Sequence, residues 1–186
     1  IGDVTGHGIG AALLMTTARA LIHARAPESD DLPTVLGKVN ADLAVDSKSG
    51  QFMTLFYLLI RPRQEGLPRR VRWTSAGHDA AIVLNLDTNA FTELSGHDIP
   101  LGIDGTWAYH ADDADLPARC IIMLGTDGIW EARDRSGGMF GKDRLHGVIT
   151  SHADADAETI ARAVLDEVIR FRDGGVALGF CGRKGF

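Results

Sequence analysis

Apolar residues recur with the period of an amphipathic helix near both ends of the chain. The pattern predicts a helix over residues 9–26, a second helix that starts within residues 30–33, and a last helix over 157–171. Asp156 stands directly before the last of these and is placed to act as its N-cap. The sequence therefore predicts helices on either side of a region with a different pattern.

Between these helices, short apolar runs separated by Gly, Pro, Asn and Asp predict β-strands. Residues 51–60 carry apolar side chains on both alternating faces, which is typical of a strand covered on both sides. The other predicted strands are residues 71–75, 81–86, 91–94, 106–111 and 119–124. Their connections favour antiparallel hairpins. Helices at the ends and strands in the middle predict an α+β sandwich.

Composition narrows the class of protein. The 186 residues are enough for one domain with a substantial core, and the formal charge of −6 gives no basic surface for nucleic acid. No apolar run approaches the roughly 18 residues that a membrane span needs, and no leader-like segment precedes Ile1. These features favour a cytoplasmic location.

Two acidic residues follow short apolar strands, each in a turn that contains glycine. Asp3 precedes Gly6 and Gly8 and the first predicted helix, and Asp127 follows the apolar run 120–124. Two carboxylates at strand ends predict a divalent metal site, because oxygen ligands are what Mg²⁺ and Mn²⁺ prefer. The glycines would let the chain turn sharply, and the start of the helix favours an anion.

Five motifs occur in one order along nearly the whole chain. They are residues 2–8 (GDVTGHG), 75–78 (SAGH), 100–102 (PLG), 126–132 (TDGIWEA) and 140–141 (FG). Each motif alone is weak, but the ordered set resembles the metal-dependent serine/threonine phosphatases of type 2C (PPM), and within them the bacterial SpoIIE/RsbU-like branch. The resemblance implies a four-layer α-β-β-α sandwich of two antiparallel sheets flanked by helices.

The resemblance also implies a site with two ions, Mn²⁺ or Mg²⁺. Asp3 would bridge both ions, the backbone carbonyl of Val4 would complete a ligand set, and Asp127 would bind one ion. Two such ions are able to share a hydroxide that attacks the phosphorus, so the protein would need no covalent nucleophile. Asp3 and Asp127 are therefore the predicted catalytic residues.

Members of this family dephosphorylate phosphoserine or phosphothreonine on a regulatory protein, typically an anti-sigma-factor antagonist, and stand behind a sensory domain. The resemblance implies these partners here. It also implies that the helices between Ile9 and about Ser47 form a regulatory element, which in this family can complete the metal site and can mediate a homodimer.

Two departures from the family pattern affect the expected domain. Members carry an acidic motif upstream of the first turn and an Asp-Asp-x-Thr motif after the last helix, whereas here Asp173 is the acid near the end of that helix. We therefore expect residues 1–186 to form a single phosphatase-like domain, truncated at the N-terminus, lacking its first strands, and atypical over about 172–186. A catalytically inactive phosphatase fold that serves as an interaction module remains the alternative.

Other features of the sequence have simpler interpretations. Residues 6–11 match the G-x-G-x-x-A dinucleotide fingerprint, but residues 27–33 form a polar loop before another helix, where that fold needs a second parallel strand. His7 and His78 are open to two interpretations, a contact with substrate or an inert exposed position. The acids of residues 112–115 are expected on a solvated strand edge.

Overall fold

The computed structural model describes residues 1–29, 31–46, 50–61 and 68–174. Four helices lie in these ranges: α1 (Ile9–Arg25), α2 (Leu32–Asp46), α3 (Gly141–Ser151) and α4 (Ala157–Arg172), with a 3-10 turn at Ala26–Glu28. The strands are β1 (Gly2–Val4), β2 (Met53–Ile60), β3 (Arg69–Ala76), β4 (Ala81–Asn85), β5 (Ala90–Leu94), β6 (Asp112–Leu116) and β7 (Cys120–Met123). Asp30, within the predicted start of the second helix, and residues 175–186 lie outside the described ranges.

The strands form two antiparallel sheets. The first sheet has the order β1-β2-β3-β6 and the second has the order β5-β4-β7. In the first sheet, Asp3 of β1 lies opposite Thr54 of β2, and Phe56 of β2 lies opposite Ser75 of β3. The register therefore brings the start of the chain and the end of β3 to opposite sides of β2.

Apolar side chains fill three layers between the helices and sheets. One cluster joins α1 and α2 to the outer face of the first sheet through residues such as Leu36 and Met53. A second joins α3 and α4 to the second sheet, with Leu145 at its centre, and a third lies between the sheets around Phe56 and Val83. The molecule is thus an α-β-β-α sandwich, and the predicted fold class is confirmed. α1 is followed by another helix, α2, and not by the second parallel strand that a dinucleotide-binding fold needs.

The predicted strand over 106–111 is wrong. Residues 107–111 have no regular secondary structure, and the strand of this region is β6, which begins at Asp112. The reason is that Asp98 is buried and binds this segment, accepting hydrogen bonds from the indole Nε1 of Trp107 (3.1 Å) and from the backbone N–H of His110 (2.8 Å). These long-range bonds draw the segment away from the sheet.

β6 forms an edge of the first sheet, paired with β3. Asp113 on this edge faces Arg70 and Arg72 of β3 at 3.9 and 4.0 Å. The acidic residues of this strand therefore lie on a solvent-exposed edge of the sheet, as predicted.

β7 is an edge strand of the second sheet in the described part of the chain, and beside it an apolar groove of about 570 Å³ runs along α4. Ile122, Ile160 and Leu165 are among its lining residues. Across the described ranges, every helix is too short or too polar to span a bilayer.

Candidate metal centre

Asp3 is the middle residue of β1, the short strand that pairs with β2. The preceding Gly2 has no room for a side chain, because a Cβ there would lie 2.4 Å from Met53 Cε and 2.6 Å from the carbonyl oxygen of Thr54. Beyond Asp3, the backbone N–H of Thr5 donates to the carbonyl of Phe52 (3.0 Å) and its hydroxyl accepts from the backbone N–H of Phe52 (3.1 Å). Asp3 is therefore held at a fixed place at the edge of the sheet.

The turn between β1 and α1 is open. Gly6 and Gly8 both have φ +86°, a conformation that favours glycine, and no atom lies within 4 Å of where a Cβ would be at either residue. α1 then starts at Ile9, with its first acceptor at the carbonyl of Gly8, which receives the N–H of Ala12 at 3.1 Å. An anion is able to reach the backbone here, at the positive end of a helix.

Asp127 lies in a compact turn after β7. The carbonyl of Asp127 accepts the N–H of Glu131 (2.8 Å), and the carbonyl of Thr126 accepts the N–H of Ile129 (3.1 Å). Gly125 is buried against this turn, where a Cβ would lie 2.9 Å from Ile129 Cδ1 and 3.2 Å from the Trp130 ring. The packing of Ile129 and Trp130 thus fixes the base of the turn and leaves the Asp127 side chain exposed.

The SAGH motif is a tight turn at the end of β3. The hydroxyl of Ser75 donates to the carbonyl of His78 (2.9 Å), and Ala76 is fully buried. Gly77 has φ +63°, and a Cβ there would lie 2.7 Å from the ring of Pro100. Each residue of the motif is therefore required by the shape of the turn, and together they place the His78 ring.

The ring of His78 lies against β2, the strand that pairs with β1. Its Nδ1 is 2.8 Å from the hydroxyl of Thr54, the residue opposite Asp3. Burial lowers the pKa of His78, while the charges of Asp79 and Asp3 and the backbone of Gly125 act in the opposite direction. The ring is thus bonded to the residue opposite Asp3, while its buried Nε2 has no hydrogen-bond partner among the described residues.

The PLG motif connects this region to α2. Leu101 exchanges two backbone hydrogen bonds with Met53, at 2.8 and 3.0 Å. The side chain of Asn40, which is 0% exposed, accepts the N–H of Gly102 (2.8 Å) and donates to the carbonyl of Asp104 (2.7 Å). The turn is therefore fastened both to β2 and to α2.

The donor chemistry of the two acidic turns fits a hard divalent cation. Asp3 and Asp127 are exposed, and neither carboxylate makes a hydrogen bond or an ion pair with the residues that the structure describes. Free carboxylate oxygens are the preferred ligands of Mg²⁺ and Mn²⁺, which keep several water ligands. Within the described ranges, no three His, Cys, Asp or Glu side chains form a ready cluster, so these turns supply part of a ligand set.

A protein-family model described as Stage II sporulation protein E (SpoIIE) matches residues 1–177. The chain belongs to the SpoIIE family. This match confirms the resemblance seen in the motifs.

Two curated relatives are similar to this SpoIIE-family chain. It is 27% identical over 174 residues to phosphoserine phosphatase RsbU of Bacillus subtilis (strain 168), across 93% of this chain and 50% of RsbU. It is 23% identical over 203 residues to protein IcfG of Synechocystis sp. (strain ATCC 27184 / PCC 6803 / Kazusa), across 95% of this chain and 31% of IcfG. The chain thus spans half the length of RsbU, and it spans less than a third of the length of IcfG.

Solved structures agree on the fold of this SpoIIE-family chain. The SiaA-PP2C domain of Pseudomonas aeruginosa superimposes with a TM-score of 0.77 at 22% identity, over 92% of this chain and 67% of that one. The PP2C phosphatase domain of SpoIIE from Bacillus subtilis gives a TM-score of 0.68 at 16% identity, over 94% of this chain and 50% of that one. The predicted four-layer sandwich is therefore the PP2C-type fold.

The main residue whose place the sequence left open is His78. A histidine flanked by Gly77 and Asp79 is expected as readily on the surface as in a site, yet its side chain is buried, with 8% of the residue exposed. The signal available in the sequence was the motif itself, since a residue that follows a strand-ending glycine can turn back over the sheet. His7 is exposed, as is Glu131, which lines a shallow cleft together with Asp127.

Proposed function

We propose that this chain is the catalytic part of a metal-dependent protein serine/threonine phosphatase. The observation that carries the proposal is a SpoIIE-family chain whose two acidic turns present exposed carboxylates that make no hydrogen bond or ion pair with the residues that the structure describes. The similarity to a protein named a phosphoserine phosphatase supports the same activity.

In this proposal Asp3, the backbone carbonyl of Val4 and Asp127 hold two Mn²⁺ or Mg²⁺ ions, with water and the substrate phosphate as further ligands. When bound, two such ions would neutralise phosphoryl charge and acidify the water that attacks phosphorus. Gly6 and Gly8 leave the space in which the phosphate would lie, and the first N–H groups of α1 would orient its oxygens. The chain supplies binding and orientation rather than a covalent nucleophile.

The substrate would be a phosphorylated regulatory protein, with phosphoserine or phosphothreonine on an anti-sigma-factor antagonist as the preferred class. The similarity to RsbU, a phosphoserine phosphatase, supports phosphoserine as the substrate group. An open turn at Gly6 and Gly8 suits a phosphorylated side chain that projects from a protein surface, because no atom of the described residues lies within 4 Å of a Cβ placed at either glycine.

Regulation would act through α1 and α2. These helices are joined to each other by the ion pair of Arg25 with Asp42. On α1, next to the glycine turn, Ile9 is 81% and Leu13 is 63% exposed. Two large apolar side chains one helical turn apart form a surface that an upstream sensory domain or a second copy of the chain would cover.

The first test is Mn²⁺-dependent hydrolysis of p-nitrophenyl phosphate and of a phosphoserine protein. We expect Asp3→Asn and Asp127→Asn to lower turnover by about a hundredfold or more, because several kcal/mol of charge stabilisation would be lost. Asp154→Asn, a change at an exposed acid in the turn before α4, is the matched control and should leave turnover unchanged.

Equal turnover in all three variants would contradict the assigned site. A folded wild-type protein that shows no turnover with Mn²⁺ or Mg²⁺ would refute the phosphatase proposal and favour the inactive interaction module. Circular dichroism of each variant establishes that the fold is retained.

A further inference from the structure

Two shallow clefts adjoin each other beside the Asp127 turn. The first, of about 340 Å³, has among its lining residues Asp127, Glu131, Arg133 and Arg172. The second, of about 330 Å³, is lined by the same two arginines and by Arg135. The clefts therefore meet at Arg133 and Arg172, and together they are called the arginine cleft below.

The first of these arginines comes from a tightly bonded turn. Arg133 begins the turn, and the carboxylate of Asp134 closes it by accepting the N–H groups of Ser136 and Gly138, both at 2.8 Å. One guanidinium N–H of Arg133 donates to the carbonyl of Gly137 at 3.0 Å. The carboxylate of Asp134 is thus occupied within its own turn.

The second arginine comes from the end of α4. Arg172 is the last residue of this helix, where the helix dipole favours a cation. Arg135 reaches the same place from the turn, because a Cβ at Gly174 would lie 3.7 Å from its Cδ. The fold therefore brings three guanidinium groups from two elements to one surface.

These guanidinium groups form no ion pair with any residue that the structure describes. Arg162 of the same helix, by contrast, pairs with Glu158 at 2.7 Å. Residues 175–186, which follow α4 in the sequence, contain no Asp or Glu. The carboxylate that would satisfy the arginine cleft is therefore not supplied by these parts of the chain.

The charges of the arginine cleft favour an acidic ligand. In the proposed function Asp127 binds the metal ions, and Asp134 is occupied within its turn. Glu131 and Asp173 then remain as acids against three guanidinium groups, each of which has five donors. The planar fork of these donors matches the two oxygens of a carboxylate.

We propose that the arginine cleft binds an acidic side chain of the phosphoprotein substrate, close in sequence to the phosphorylated serine, through Arg133 and Arg172. This inference rests on the proposed function, because Asp127 locates the phosphate at one side of the cleft. A volume of about 340 Å³ corresponds to a width of about 7 Å, the span of about two residues of extended chain. Ile169, which is 57% exposed in the second cleft, offers an apolar contact beside the arginines.

The test compares two phosphoserine peptides of equal length. One has glutamate at the second residue on each side of the phosphoserine, and the other has glutamine at the same places. The readout is the ratio of their kcat/KM values with Mn²⁺, in which the intrinsic activity of each variant cancels. We expect the wild type to prefer the glutamate peptide about tenfold, and the preference to fall as salt is added.

Arg133→Gln and Arg172→Gln should each lower this preference about threefold, the size usual for one partly exposed charge pair. Arg172→Glu should reverse it in favour of a third peptide with lysine at those places, which a role in helix stability alone would not do. Arg162→Gln is the matched control, because it removes an exposed arginine of α4 about 15 Å away along the axis. It should keep the wild-type preference.

A wild-type ratio near one would overturn the proposal. A preference that survives both Arg133→Gln and Arg172→Gln would overturn it as well, because the acid would then be read elsewhere on the protein. An equal loss in Arg162→Gln would show that net charge, rather than the arginine cleft, determines the preference.

Binding of the same peptides without metal separates this inference from the proposed function. In ¹H–¹⁵N spectra the glutamate peptide should shift the amides of residues 133–135 and 172–173 more than the glutamine peptide, and Arg172→Gln should remove the difference. If the wild type shows no metal-dependent turnover of phosphoserine, the proposed function fails and the shifts decide alone. Equal shifts with both peptides would then overturn the binding of an acid in the cleft.

Discussion

Gly77 is the residue at which both backbone conformation and space are restrictive. Its φ of +63° disfavours any side chain, and a Cβ would also lie 2.7 Å from two ring carbons of Pro100. Gly137 has a similar conformation, φ +87°, but nothing lies within 4 Å of its Cβ position. The pair therefore separates the cost of the conformation from the cost of the collision.

We expect Gly137→Ala to lower the free energy of unfolding by about 1 kcal/mol, the cost of the left-handed conformation alone. Gly77→Ala should lower it by about 2–4 kcal/mol, since crowding against Pro100 adds to that cost. Urea denaturation measures both. Equal losses would mean that Pro100 moves aside freely, contrary to the close packing described for the turn.

Among single residues, the sequence was most informative where the proposed chemistry needs one type of side chain. Asp3 and Asp127 were singled out because carboxylates beside glycine-containing turns suit a divalent cation, and their role as metal ligands stays a prediction. The buried place of His78 was not predictable, because its partner Thr54 is distant in the sequence and only the pairing of the strands brings the two residues together.

Among the elements, α4 has the most direct signal in its sequence. Asp156 accepts the N–H of Thr159 at 2.7 Å, and the bonds from Thr159 lower the pKa of the Asp156 carboxyl. Because the pKa of this carboxyl is lower in the folded than in the unfolded state, the ionised carboxylate stabilises the fold at pH values above the pKa of the unfolded state. This stabilisation is lost as the pH falls through the pKa of the folded state.

We accordingly expect Asp156→Ala to melt at a lower temperature than the wild type at pH 5.5–7, and the difference to narrow below about pH 4, where the carboxyl takes up a proton. Asp154→Ala, two residues earlier and exposed, should show no such pH-dependent difference. Thermal melts between pH 7 and pH 3 give the comparison. A difference that stays constant down to pH 3 would rule out the charge of Asp156 as its cause.

The predicted elements were correct where the periodicity alone determines the structure, as in β2 and α4. They failed at residues 106–111, where alternation of residue types indicates a strand but the buried carboxylate of Asp98 binds the segment instead. A local pattern contains no information about a partner nine to twelve residues away in a loop.

For the whole molecule, the order of helices and strands was sufficient to predict an α+β sandwich, and the motifs were sufficient to predict its four layers. The pairing of β3 with β6 across more than thirty residues was not predictable, because the acids of β6 give no apolar alternation. Its partners Arg70 and Arg72 compensate that charge across the strand pair.

One small contact ties the outer layer of helices to the strand that carries Asp3. Asn40 of α2 binds the turn at residues 102–104, Leu101 pairs with Met53, and Met53 lies opposite Val4. A displacement of α2 would therefore have to break the bond between Asn40 and the N–H of Gly102 before it reached the site.

That amide is consequently a built-in reporter of the position of α2. While the helix is docked, the Gly102 proton should exchange slowly with deuterium, and Asn40→Ala should accelerate its exchange. Any signal or partner that moves α2 should do the same, whereas a ligand that acts only at Asp127 should leave the rate unchanged. An equally fast exchange in wild type and variant would show that the helix is not held there in solution.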